Sequence, residues 1–485
     1  MKIALIQPKL SDNYSSQRSP YASVAQVPEI GLAVLSSTLR AKFPNAEVRV
    51  LNPLAEGIVG KAAGFDLVGM SDWFVNHGRC LEYAAEIKKL NPNAVIVIGG
   101  PNGGELARPI LQHAPAVDFV VKREGEDALP ALVSHLLEGA PISSVPNTFY
   151  RDSSGKPRFT HKKFFNLKEM PIWDFSSFDD LPSRLSEYLT LHASSDPWIS
   201  PPLTMFSYRG CPKAEKEGRC AHCVTAETKG RSISSEQFWS QVLHLDKAHG
   251  ARIFYISDDI FTFSPEYVAS LGSSKPPEAR ASFRAYAYMP GLAALSNEEL
   301  AGMARNLKKV GVHNLLFGVE DTDAVTLAHS NKSVPSTKEM VRVMRTLHEF
   351  GGVKSTIALV LGLAHSTEDS TNRGFAAVES LFQQAGEAFE RLNLSIVVPF
   401  AGSGLFASLA NLRESNEEYA AKRGRQIRDD PDPDCNLLAA LHLKYFTGIS
   451  PERMNEWMGR FEELAYQYLP RHCIGGFKSR VNSII

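Results

Sequence analysis

Short apolar runs alternate with helical periodicity along the first 140 residues. Lys2 to Ile6, Val48 to Leu51, Asp66 to Met70, Ala94 to Ile98 and Val117 to Val121 read as strands. Apolar positions at helical spacing mark Ile30 to Leu39, Arg79 to Leu90 and Ala128 to Leu137 as helices. Strands alternating with helices of this length build βαβ units and predict an α/β domain, residues 1–140, around a doubly wound parallel sheet. Fully apolar strands suit burial on both faces. From 141 to 202 the pattern weakens. Ser153-Ser154-Gly155-Lys156-Pro157 is a turn between Thr148 to Arg151 and Arg158 to Thr160, so a hairpin is expected inside a linker, with Trp173, Phe175, Phe178 and Trp198 packing it between domains.

Regular alternation returns at residue 203. Leu203 to Phe206, Arg252 to Ile256, Ser282 to Tyr288, Val312 to Val319, Thr356 to Leu361 and Leu392 to Val398 are strands. The helices between them open on capping boxes at Ser234 to Gln237, Ser296 to Glu299 and Ser336 to Glu339, and stop at Gly311 and Gly351-Gly352. This predicts a partial (β/α)6 barrel over residues 203–408, with its functional loops at the strands' carboxyl ends. Residues 409–485 are helical, with apolar periodicity at Leu437 to Tyr445 and Met454 to Tyr468. This C-terminal region carries no motif and is expected to close the barrel's open side and shape the substrate pocket.

With 485 residues, 44% of them hydrophobic and 22% charged, the chain has apolar material for two or three domains. Its 52 basic and 53 acidic residues are well mixed, so no footprint for nucleic acid or a membrane surface stands out. A small molecule or peptide is the expected substrate. The apolar run within Met1 to Ser11 is too short for a signal peptide, and no stretch reaches the ~18 apolar residues that cross a bilayer, so a cytoplasmic location is expected. Six cysteines in so long a chain suit a reducing compartment.

Half of those cysteines, Cys211, Cys220 and Cys223, fall within thirteen residues just past the strand that begins the barrel. Thiolates are soft ligands, which leaves two readings: a [4Fe–4S] cluster with one open iron, or a structural zinc completed by a histidine. Cys80, Cys435 and Cys473 are expected to be small buried hydrophobes. Acidic residues share the barrel rim with the cysteine loop. Asp258 and Asp259 follow the second strand and Glu320-Asp321 the fourth, as holding a ligand's amine and hydroxyls would require. In the first domain, the loops beyond the strand ends carry Gln7-Pro8, Ser71-Asp72, Gly99-Gly100-Pro101-Asn102-Gly103-Gly104 and Arg123-Glu124-Gly125-Glu126. The glycine run lacks the G-x-G-x-x-G spacing of a dinucleotide site, and it either admits a large ligand or makes a tight turn.

The order of these parts resembles the cobalamin-binding-domain radical S-adenosylmethionine (SAM) enzymes over residues 1 to about 408. The matches are Pro28 to Leu32, Gly99 to Asn102 and Val117 to Glu126 in the first domain. In the barrel they are Tyr208-Arg209-Gly210-Cys211-Pro212, Gly318-Val319-Glu320 and Pro399 to Ser403. The resemblance implies a Rossmann-like cobalamin-binding domain, with Gln7, Ser71, Gly99, Gly100, Pro101, Asn102, Glu124, Gly125 and Glu126 at the cobalamin. It implies a [4Fe–4S] cluster on Cys211, Cys220 and Cys223. SAM would lie on its open iron, with Asp258 or Asp259 at the amino group, Glu320 at the ribose and His222 at the adenine.

The chemistry implied is C-methylation of an unactivated carbon. One SAM would supply a 5′-deoxyadenosyl radical, and another would remethylate cobalamin, with electrons from a donor such as flavodoxin or ferredoxin. A rearrangement or cyclisation without methyl transfer needs the same two domains. Two departures stand out. The cysteines are spaced C-x8-C-x2-C where the family has C-x3-C-x2-C, with Pro212 to Arg219 expected to loop out, and the D-x-H-x-x-G signature of a cobalt-ligating histidine is missing.

Overall fold

The computed structural model describes residues 1–9, 28–183, 185, 203–224 and 228–470, and the backbone of 474 and 475. Trp198 and Cys473 lie outside the described residues. The first domain is built on β1 (Lys2–Ile6), β2 (Glu47–Val50), β3 (Leu67–Ser71), β4 (Val95–Gly99) and β5 (Phe119–Val121), parallel in the order β2-β1-β3-β4-β5. The alternation predicted from sequence explains its two covered faces. Ile3, Leu5, Leu67 and Val97 pack under the helices Ile30–Lys42 and Ala128–Glu138, while Ala4, Ile6, Val68 and Ile96 pack under His77–Leu90 and Ala107–His113. Chain order reverses between β1 and β3, so a crevice opens at that end of the sheet, where ligands of doubly wound folds sit.

Two expectations change here. The hairpin β6 (Thr148–Arg151) and β7 (Pro157–Phe159) forms, but it extends the first sheet antiparallel to β5 instead of lying in a linker. The reason is local: the rings of Phe149 and Phe159 pack tilted with centroids 4.7 Å apart, and the Arg151 guanidinium caps the carbonyls of Leu111, Ala114 and Val117. The glycine run is also not all loop, since Pro101–Glu105 is a helical turn, with proline at a position where its missing N–H costs nothing.

The chain then crosses to the barrel through buried aromatics. Trp173 stacks on Phe206 at 4.9 Å, and Phe175 and Phe178 are buried, so one apolar cluster runs from the first domain into the second. The barrel strands are β8 (Leu203–Met205), β11 (Ile253–Ile256), β12 (Ser282–Ala287), β13 (Val312–Glu320), β14 (Lys354–Leu361) and β15 (Phe389–Ile396), all parallel and in chain order. A short ribbon, β9 (Tyr208–Arg209) paired antiparallel with β10 (Arg231–Ser232), stands between β8 and β11. The capping boxes at Ser234, Ser296 and Ser336 form as their sequence predicts.

The C-terminal region engages both domains. Leu437, Leu438 and Leu441 of Cys435–Phe446 join the first domain's core, and Trp457, Met458 and Phe461 of Pro451–Tyr468 join the barrel's. A last strand, β16 (Ile474–Gly475), pairs parallel with β15 at the barrel's edge. No described helix is long and apolar enough to cross a membrane.

Candidate functional site

The crevice of the first domain opens into a cavity of about 630 Å³ whose far wall is the barrel rim. Ser71, Gly99, Gly100, Pro101, Asn102, Glu124, Gly125 and Glu126 line one side, and Arg209, Cys223 and Asp259 the other. Trp73 and the pair Phe74 and Phe400, with ring centroids 4.0 Å apart, add aromatic wall from both domains. Among the described residues, none past Ala401 lines it, so the C-terminal region, expected to shape a pocket, contributes no wall to this cavity.

The cysteine loop is the tip of a hairpin whose stem is the ribbon β9–β10. Gly210 makes that stem possible: its φ is +98°, and a Cβ there would lie 2.3 Å from the Lys229 carbonyl oxygen. The insertion Pro212 to Arg219 does not loop out as expected. Pro212–Glu217 is a helical turn capped by Cys211, whose Sγ accepts from the Ala214 N–H at 3.5 Å. Lys213 is buried and donates to the Gly218 carbonyl at 2.8 Å and to that of Asn331. Burial raises the thiols of Cys211 and Cys220 above the ordinary cysteine value, and the Cys223 side chain acts electrostatically on both.

The acidic rim divides by role. Asp258 is buried, and its carboxylate accepts from the backbone N–H groups of Ser207 at 2.7 Å and Tyr208 at 3.0 Å, and from the Ser207 hydroxyl. Burial pushes it up to about 7 against those donors. Between the two carboxylates expected at an amino group, Asp258 is therefore committed to the turn before the cysteine loop, while Asp259 lines the cavity. Glu320 ends β13 at a bulge, with φ +64°. Its carboxylate is paired with Lys332, and His222 Nε2 is 3.9 Å away. Burial lowers the pKa of His222 against the pull of Glu320.

Glu124 and Glu126 face the cavity but are already engaged. Arg209 donates to Glu124 at 3.2 Å and to Glu126 at 2.5 Å, and Arg231 to both oxygens of Glu124, at 2.5 and 3.2 Å. The Phe165 N–H adds a bond to Glu124 at 2.7 Å. A role for these carboxylates at a bound ligand thus gives way to an interdomain ion-pair network. The network joins two motifs far apart in sequence, and neither arginine stands out in the sequence alone. The signal was complementary charge: an acidic pair in one motif and an arginine beside the first cysteine.

Residues 22–133 match the model of the B12 binding domain. An uncharacterized methyltransferase of Pyrococcus horikoshii is 23% identical over 441 residues, covering 87% of this chain and 82% of that protein. TsrM, a radical S-adenosylmethionine methyltransferase from Kitasatospora setae solved with cobalamin and a [4Fe–4S] cluster bound, superposes with a TM-score of 0.64 at 15% identity, over 85% of this chain and 76% of TsrM. OxsB, a cobalamin-dependent S-adenosylmethionine radical enzyme solved with aqua-cobalamin and S-adenosylmethionine, gives a TM-score of 0.68 at 14% identity, over 96% of this chain and 67% of OxsB. The chain has the fold of the cobalamin-dependent radical SAM enzymes.

That fold supplies a test of whether these residues suit its cofactors. Gln7, just past β1, holds a buried side-chain oxygen with no partner among the described residues but does not line the cavity. The buried Nδ1 of His222 is likewise unpartnered. Gly31 leaves open space where a flat ring system can approach the backbone, whereas a Cβ at Gly99 would meet Val121 at 3.8 Å, and Gly100 and Gly103 are held close to Asp72. Within the glycine run, the tight turn accounts for Gly100 and Gly103, while Gly99 lines the cavity. His77 has both ring nitrogens occupied, Nδ1 by Asp72 at 2.6 Å and Nε2 by the Pro431 carbonyl at 2.5 Å, so it cannot also ligate cobalt.

For the cysteines, no group of three or more His, Cys, Asp or Glu side chains among the described residues converges as a single metal ion requires. By donor type, three cysteines of one loop suit a cluster, with Cys223 at the cavity wall.

Proposed function

We propose that this chain is a cobalamin-dependent radical SAM enzyme that methylates an unactivated carbon of a small molecule or peptide. One observation carries the reading: a single cavity has the glycine loop of the B12-binding domain on one wall and Cys223 and Asp259 on the other. Cys211, Cys220 and Cys223 would hold a [4Fe–4S] cluster, which would supply an electron for cleaving SAM, and the first domain would hold cobalamin, which would supply a carried methyl group. Asp259 receives the amino group of SAM. Glu320, paired with Lys332, and His222 lie outside that cavity's lining and are assigned to the ribose and adenine. The aromatic lining from Trp73, Phe74 and Phe400 keeps water from the reacting carbon, which a radical step requires. Reduction falls to a donor such as flavodoxin or ferredoxin.

The test starts from protein purified without oxygen, with its cluster reconstituted in the presence of hydroxocobalamin. About four irons and one cobalt per chain are expected, and alanine at Cys211, Cys220 or Cys223 should lose the iron and keep the cobalt. With SAM, reductant and substrate, methyl transfer yields both 5′-deoxyadenosine and S-adenosylhomocysteine. Deoxyadenosine alone would point to a rearrangement or cyclisation, iron without cobalt would remove the methyl carrier, and zinc in place of iron would end the reading.

A further inference from the structure

We infer that the clamp of Arg209 and Arg231 on Glu124 and Glu126 sets the register between the cysteine loop and the B12-binding domain, making Arg209 a positioning residue for both cofactor sites. The inference rests on the functional reading above and concerns residues that reading does not use.

Both strands of the hairpin stem carry one arginine, at paired positions, Arg209 opposite Arg231. Arg209 lies two residues before Cys211, so whatever holds it holds the first cysteine. Its guanidinium spans two carboxylates of the other domain and lies over the Phe206 ring at 4.5 Å. Arg231 grips the shared Glu124, and its guanidinium also donates to the Phe165 carbonyl at 2.7 Å. Glu124 and Glu126 are 8% and 4% exposed, so the network is dry as well as directional. Trp173 on Phe206 and Phe74 on Phe400 bridge the domains through apolar contact, and the Thr204 hydroxyl donates to the Pro28 carbonyl at 3.0 Å. A fork of charged hydrogen bonds accepts one geometry. Glu124, Gly125 and Glu126 also line the cavity, so ordering the cysteine loop orders that wall.

The consequence is linkage between the two sites. Hydroxocobalamin is titrated into wild-type protein with its cluster reconstituted and again after the iron is removed by chelation. Reconstitution should raise the affinity roughly fivefold or more. Arg209→Met should keep its iron but lose that rise, and Arg209→Lys should recover part of it. Glu126→Gln, which leaves Arg209 its contact with Glu124, gives the same reading if Arg209→Met fails to fold. A role confined to stability would lower the unfolding midpoint and leave the linkage intact. Full linkage in Arg209→Met or Glu126→Gln, or none in wild-type protein that binds both cofactors, overturns the inference alone. Wild-type protein that takes up neither iron nor cobalt overturns it together with the function it rests on.

Discussion

Two adjacent aspartates show how neighbouring positions on one loop divide between scaffold and chemistry. Asp258 satisfies two backbone donors and a hydroxyl in a dry setting, whereas Asp259 looks into the cavity. Asp258→Ala should destabilise the protein by about 1–3 kcal/mol through the donors it strands, and should disorder the approach to Cys211. Asp259→Ala, at an exposed position, should cost less stability than Asp258→Ala but weaken SAM binding. Chemical denaturation and a SAM titration, run on both variants, separate the two. Equal loss of SAM affinity with unchanged stability in both would refute this division. Sequence alone left the pair unresolved, because both are acidic and both follow the same strand; only the direction of each carboxylate tells them apart.

The hairpin that carries the cysteines shows what an element adds to its residues. Its close stem depends on Gly210, and its insertion packs as a helical turn because the buried Lys213 donates to the carbonyls of Gly218 and Asn331. Gly210→Ala should cost about 1–3 kcal/mol of backbone strain and lower the iron bound after reconstitution. Gly31→Ala, on a helix with nothing within 4 Å of the new methyl, should leave stability unchanged or slightly improved and instead weaken hydroxocobalamin binding. Iron content, cobalamin affinity and an unfolding curve for each variant check both outcomes. A polar insertion read from composition alone looks like free loop. Its helix follows from a proline at the first position and a lysine that bonds one carbonyl five residues on and another 118 residues away.

At the scale of the molecule, His77 ties the first domain to the C-terminal region through Asp72 on one side and the Pro431 carbonyl on the other. Burial opposes its proton, but Asp72, with Asp432 and the carbonyl behind it, prevails and raises it from 6.5 to about 9. Between those values the folded protein holds a proton that the unfolded chain releases, so stability must fall as pH rises through this window and is fully retained below it. Thermal unfolding should therefore drop between pH 6.5 and 9, and His77→Gln should flatten that dependence from a lower starting point. An unchanged slope in the variant would assign the effect elsewhere.

The sequence by itself determined the parallel strands of both large sheets, the capping boxes and the place of the cysteine loop at a strand's end. All of these follow from patterns within a few residues: period-two and period-3.6 burial, capping spacings and clustered thiols. The tertiary structure alone decided which acidic groups are available for chemistry, because Glu124, Glu126 and Asp258 find their partners across 85, 83 and 51 residues. It likewise decided that the hairpin at 148–159 belongs to the first sheet and that the C-terminal helices join both cores. Such partnerships depend on which surfaces meet when the two domains pack, and pairwise charge and shape across that distance leave no periodic trace in the chain.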